Sequence, residues 1–117
     1  MRKKTLEQLR EQALEKITEI RKAISAFDFV CSGTLLERRK VCGKPNCRCA
    51  EDISARHGPY YEWTRRQRGK LVHRVVTAEQ ARLIRQAIAD HRKILRLLRR
   101  WESETIRVIE ALASPKR

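Results

Sequence analysis

The sequence is short of acid, short of aromatic residues and lacks any long apolar run. Asp and Glu number 14 against 28 Lys and Arg in 117 residues, which leaves a formal charge of +14 at pH 7. So large an excess exceeds what solubility requires and favours a polyanionic partner, DNA or RNA ahead of an anionic membrane. Arg dominates over Lys, and its planar fork suits phosphate oxygens and guanine edges. No apolar stretch approaches the ~20 residues of a transmembrane helix, and the start, MRKKTLEQLREQALEK, lacks the apolar core of a secretion signal. The expectation is a cytoplasmic, nucleoid-associated protein with no membrane partner. Aromatics are only 5% of residues, so Phe27, Phe29, Tyr60, Tyr61, Trp63 and Trp101 are expected at packing or contact points.

Repeats, low-complexity linkers and catalytic constellations are absent too. The length suits a single domain, 1–117, with one modest core and no room for a large enzyme fold. His57, His73 and His91 are too widely spaced for a histidine nuclease motif, and Asp28, Asp52 and Asp90 form no evident metal triad. Tyr60 or Tyr61 as a recombinase nucleophile would lack the rest of that catalytic domain. The chain is therefore expected not to be an enzyme.

Three segments are present. From 5 to 27, Leu6, Leu9, Ala13, Ile17, Ile20, Ile24 and Phe27 recur at steps of three and four, the stripe of an amphipathic helix, and Thr5 with Gln8 forms a capping box. From 30 to 76 the period changes: GTLLERRKV, YYEWTRR and KLVHRVV alternate as strands, the last two joined by QRG, where Gly69 is available for positive φ. From 78 to 113, Thr77 and Gln80 open a second helix, whose Ile84, Ile88, Leu95, Leu98, Ile109 and Leu112 recur near coiled-coil spacing. At ~1.5 Å per residue this helix would span roughly 50 Å, more than a small sheet covers, so part of its face must pack on the first helix, on another subunit, or on both. A homo-oligomer through the helices is one expectation. The tail SPKR is expected to fray. The fold class is α+β: an N-terminal helix, a three-stranded antiparallel sheet and a long C-terminal helix.

The stretch CGKPNCRCAEDISARHGPYY, residues 42–61, holds three of the four cysteines and one of the three histidines. In a reducing compartment such a cluster points to a metal or to redox chemistry rather than to a disulfide. A redox site is disfavoured by the absence of a Cys-x-x-Cys helix start and of a βαβ pattern. Zinc takes four thiolate or imidazole donors, and Gly43 and Pro45 provide a turn that folds Cys42 and Cys47 together. Cys42, Cys47, Cys49 and His57 are the first ligand set, with Cys31 in place of His57 as the alternative. Four protein ligands leave no open position for activated water, so this zinc is structural and staples a sheet too small to bury much apolar area.

Between Tyr60 and Val76, Arg65, Arg66, Arg68, Lys70 and Arg74 face a single acid, Glu62. Arg38, Arg39 and Lys40 on the preceding strand and Lys44 in the loop extend this positive surface. Tyr61 and Trp63 are positioned to stack on bases or to pack. A second basic stripe, Arg92, Lys93, Arg96, Arg99 and Arg100, lies on the long helix, where charge runs are more often solvated faces.

GTLLERRKVCGKPNCRCA, then HGPYYEW, a hairpin and TAEQARLIRQAI together resemble, over Gly33 to Arg100, a small bacterial family of uncharacterised domains found beside transposases and other mobile elements. Its signature matches Cys42, Gly43, Lys44, Pro45, Cys47, Cys49, His57, Gly58, Pro59, Tyr60 and Tyr61. The signature omits Cys31, so the resemblance implies His57 as fourth ligand and a transposase or other mobile-element enzyme as partner. The hairpin is also similar in outline to the three-stranded DNA-binding sheets of some integrases. The functional expectation is an accessory protein of a mobile element binding duplex DNA through the basic hairpin. The alternatives are an RNA-binding ribonucleoprotein subunit and a helical assembly adaptor for a partner enzyme.

Overall fold

Helix α1, Leu6–Ser25, starts where the sequence places its cap: the Gln8 amide donates to Thr5 Oγ1 at 3.1 Å and the Thr5 amide donates to Gln8 Oε1 at 3.0 Å. The structure is a computed structural model and describes residues 4–112. The expected helix end at 113 and the fraying of SPKR lie outside the described residues. Along α1, Ala13 and Ile20 are buried, and Leu9, Ile17 and Ile24 are half-buried on the same stripe; the helix stops at Ser25, short of the expected end at 27, and half-buried Phe27 lies beyond its cap Ala26. Leu6, at the first turn, is exposed instead.

Three strands follow, β1 Thr34–Lys40, β2 His57–Gln67 and β3 Lys70–Val76, paired antiparallel in the order β1-β2-β3. This is the expected meander, with a second strand that starts at His57, earlier than the alternation of YYEWTRR suggests. Helix α2, Ala78–Ala111, opens on a second capping box, the Gln80 amide to Thr77 Oγ1 at 3.0 Å and the Thr77 amide to Gln80 Oε1 at 2.9 Å. Two 3₁₀ turns, Arg48–Ala50 and Ile53–Ala55, shape the segment between β1 and β2.

The chain forms two compact units, Val30–Ala89 and a second one of α1 with the residues from Asp90 onward. In the first, the pairs Leu35↔Trp63 and Tyr61↔Val76 share one sheet face. That face packs on the start of α2: Val76 of β3 and Ala81, Ile84 and Ile88 of α2 are buried together, with Cys31, Leu35, Tyr61 and Trp63 packed half-buried against them. Arg74 interrupts this face and stays exposed. The core is small: among the described residues no side chain larger than that of Cys49 is completely enclosed. A domain with so little interior needs a further constraint on its irregular segments. Among the described residues no helix is long and apolar enough to cross a membrane.

Candidate metal centre and basic ribbon

Strand register assembles the cysteine cluster. β1 ends at Lys40, which pairs with His57, while Arg38 pairs with Tyr60. One residue, Arg39, therefore faces two, Gly58 and Pro59, which makes a bulge in β2. An unbroken ladder would set His57 opposite Val41; the bulge moves it up beside Lys40 and turns its ring toward the loop. Gly58 has φ +133°, and a Cβ there would stand 2.8 Å from the Arg38 carbonyl oxygen. Only glycine allows β1 to approach this closely. From Cys42 the chain turns through Gly43–Asn46 into the 3₁₀ turn that carries Cys49 inward to 1% exposure. Asp52 then holds the second turn by accepting from the Ser54 amide at 3.0 Å and its hydroxyl at 2.7 Å. The sequence hint for this Asx turn is Asp-x-Ser.

The ligand atoms of Cys42, Cys47, Cys49 and His57 all lie within 4.8 Å of one another. Cys42 and Cys49 Sγ are 3.5 Å apart, and Cys47 Sγ is 3.2 Å from His57 Nε2. Tetrahedral zinc with Zn–S bonds of ~2.3 Å sets its sulfurs about 3.8 Å apart and a sulfur and imidazole nitrogen about 3.5 Å apart. The two closest separations fall about 0.3 Å short of those values and none exceeds 4.8 Å, so these four residues fit a tetrahedral ion after small adjustments. Cys31 is elsewhere: its amide donates to the Ala87 carbonyl at 3.3 Å, and its thiol lies in the apolar cluster. Of the two candidates that spacing left open, the structure brings His57, and not Cys31, to the other three cysteines. Burial pushes the Cys31 thiol up, with Arg65 opposing.

Local donors divide the cluster's thiols. The Cys49 amide, followed by the Cys49, His57 and Cys42 side chains, pulls Cys47 down to about 6. For Cys49 the Cys42 amide, donating to its sulfur at 3.3 Å, acts to lower it. Burial and the adjoining Cys47 and Cys42 sulfurs outweigh that amide and push Cys49 up. Three thiolates crowded together repel one another until a cation neutralises them. Metal-ligand chemistry is what the arrangement can do.

The basic residues divide by face. Arg38 and Lys40 lie on the sheet face away from the apolar cluster, where both reach Glu62, Lys40 Nζ at 2.9 Å and Arg38 Nε at 3.7 Å. Lys40, then Arg38 and His73, hold the Glu62 carboxyl below its usual range, although desolvation opposes them. Arg39 stands opposite the bulge, and Lys44 is exposed in the cysteine loop. Tyr61 and Trp63 pack half-buried on the cluster face, Trp63 Nε1 donates to the Ser32 carbonyl at 3.0 Å, and Arg65 lies 4.1 Å over the Trp63 ring. The aromatics are engaged in packing, and the organising role of Glu62 was not visible in its sequence neighbourhood.

β1 pairing stops at Thr34↔Thr64, but β2 and β3 continue through Arg65↔Val72, Arg66↔Leu71 and Gln67↔Lys70. The sheet thus narrows to a two-stranded ribbon closed by Arg68 at φ 52° and Gly69 at φ 78°. Positive φ at both central residues is the turn that suits strand twist best. Gly69 is the position that the sequence marks; Arg68 adopts the same region without glycine's freedom. From Arg65 to Val72 the ribbon carries Arg65, Arg66, Arg68 and Lys70 and no acid.

The domain family described as Domain of unknown function (DUF6788) matches residues 3–86, from α1 through the cysteine loop and sheet into the start of α2. The chain belongs to that family. No curated protein matches it, and no solved structure does.

Proposed function

We propose that this DUF6788 protein binds duplex DNA by inserting the Arg65–Val72 ribbon into a groove, with a structural Zn²⁺ on Cys42, Cys47, Cys49 and His57 fixing the base of the sheet. The observation that carries this reading is the ribbon itself. Its three residue pairs beyond β1 project about 10 Å at ~3.4 Å per residue. A B-form major groove about 12 Å wide admits a two-stranded ribbon, whereas the deep, narrow A-form groove of RNA excludes one. Packing of Tyr61 and Trp63 on the cluster face removes the aromatic platform that single-strand binding uses. Arg66, Arg68 and Lys70 are exposed at the tip, so duplex DNA is favoured over RNA.

Zinc suits a three-thiolate, one-imidazole donor set better than the hard cations, which prefer oxygen. When bound, it supplies charge neutralisation and a fixed node, and no hydrolytic chemistry follows from four protein ligands. The resemblance of the cysteine signature to mobile-element domains supports an accessory role beside a transposase or similar enzyme.

Fluorescence anisotropy with duplex DNA, single-stranded DNA and duplex RNA at several salt concentrations tests the proposal. About four phosphate contacts imply a log–log salt slope near −4, or on the order of 10²-fold weaker binding from ~50 to ~200 mM salt. Arg66→Ala, Arg68→Ala and Lys70→Ala together are expected to reduce that slope by about three. A flat salt response, or equal affinity for duplex RNA, overturns the reading.

A further inference from the structure

The two faces of the Arg65–Val72 ribbon are not equivalent. One continues the sheet face that packs on α2: Arg65 lies 4.1 Å over the Trp63 ring and donates to Gln67 Oε1 at 3.4 Å, and its cross-strand neighbour Val72 is half-buried. The other face carries Arg66 and, directly opposite it, Leu71. Arg66 is exposed, and its guanidinium has no partner among the described residues. Leu71 is 56% exposed. Toward the base of the sheet this face changes character. Thr64 Oγ1 and His73 Nδ1 lie within hydrogen-bond distance at 2.8 Å, and beyond them Glu62 stands opposite Val75 with Lys40 and Arg38 drawn to it. A carboxylate repels phosphate, so the end that suits the floor of a groove is the acid-free one, Arg66 with Leu71.

A ribbon lying in a major groove turns one face to the base edges and the other to solvent. Turning the Arg65 face inward would draw Arg65 off Trp63 and bring α2 to the groove side. Turning the Arg66 face inward breaks neither contact and keeps α2 outside. The two side chains on that face also match two features of the groove: the planar fork of arginine suits the O6 and N7 acceptors of guanine, and an aliphatic group suits the 5-methyl of thymine. Directly opposed residues on paired strands have Cβ atoms about 5 Å apart, a span of one to two base-pair steps at ~3.4 Å. Arg68 and Lys70, at the turn, are left for phosphates, which position the ribbon without reading sequence.

We infer that the face bearing Arg66 and Leu71 determines sequence specificity, Arg66 reading a guanine and Leu71 the methyl group of a thymine one or two steps away. The inference rests on the duplex-DNA reading above. Selection by the full chain from a pool of random-sequence duplexes is expected to recover sites with a guanine and a thymine at that spacing. In fluorescence anisotropy with a selected duplex, replacing the guanine by 7-deazaguanine should weaken binding about 10-fold, and replacing the thymine by deoxyuridine about four-fold. Both changes are made in the DNA and leave the protein as it is. Arg66→Lys, which keeps the charge, should preserve the salt slope but bind the guanine and 7-deazaguanine duplexes equally. Leu71→Ala should bind the thymine and deoxyuridine duplexes equally, and Arg65→Lys should leave both discriminations intact. Salt-dependent duplex binding with no recovered preference, or loss of guanine discrimination in Arg65→Lys and not in Arg66→Lys, would overturn this inference and leave duplex binding standing. Absence of salt-dependent duplex binding by the unchanged chain would overturn both.

Discussion

The segment from Val41 to Arg56 and the ribbon from Arg65 to Val72 are both exposed, polar and rich in cations, yet they keep their shape by different means. The ribbon is held by its ladder, Arg65↔Val72, Arg66↔Leu71 and Gln67↔Lys70, and by a tight turn. The loop contains two 3₁₀ turns and brings its three cysteine sulfurs together, with His57 of β2, through side chains. Backbone pairing is cooperative and independent of ligands; a side-chain cluster of thiolates is self-repelling without a cation. Metal should therefore control one region and leave the other intact.

The largest effect expected separates them. Removal of metal by a chelator, or Cys49→Ser, should cost several kcal/mol and erase hydrogen-exchange protection in Val41–Arg56, while the ribbon amides stay protected. Cys31→Ala should leave metal stoichiometry by mass spectrometry unchanged. Simultaneous loss of protection in both regions would show that the ribbon also depends on the metal node.

Glycines sharpen the contrast. Gly58→Ala places a Cβ 2.8 Å from the Arg38 carbonyl oxygen and 3.1 Å from the Tyr60 amide nitrogen at φ +133°, so denaturant unfolding should show a loss of about 2–3 kcal/mol and metal affinity should fall. Gly69→Ala meets no atom within 4 Å at φ +78° and should cost only about 1 kcal/mol, with metal binding unchanged. Equal costs would mean that the bulge tolerates movement of β1. A smaller effect of opposite sign is expected next to Gly69: Arg68→Asn, at φ 52°, should stabilise the hairpin by about 0.5 kcal/mol while weakening DNA binding.

The finest test concerns the thiols of metal-free protein. Cys47 is pulled down to about 6, Cys49 and Cys31 are pushed up, and only the thiolate is nucleophilic. Iodoacetamide near neutral pH should alkylate Cys47 before Cys49 or Cys31, its rate falling as the pH drops through about 6. Peptide mass mapping reads the order. Uniform rates would mean that the amides near Cys47 do not hold this arrangement without metal.

The two regions also differ in how openly the sequence displays them. Both capping boxes, the α1 stripe, the meander and the three-cysteine cluster are local patterns, set by spacing and by donors within a few residues, and all are present as expected. The bulge at Gly58–Pro59 has no comparable periodicity, because it exists only where β1 and β2 meet. Arg68 at positive φ was equally hidden: a two-residue turn was imposed by the register Gln67↔Lys70, not by the preference of arginine. Glu62 looked like a lone acid in a basic hairpin until cross-strand pairing placed Arg38 and Lys40 beside it.

Sequence by itself determined the elements, the excess of positive charge and the residue types able to hold a soft cation. Tertiary structure decided which side chain is brought beside the three cysteines, by pairing Lys40 with His57 and placing Cys31 among Val76, Ala81, Ile84 and Ile88. It also decided that Tyr61 and Trp63 face a helix while the cations beyond Thr64 extend on a two-stranded ribbon. The physical reason is the range of the forces involved. Capping and periodicity act within a few residues along the chain, whereas register, facing and burial arise only when strands and helices distant in sequence compete for the same small core.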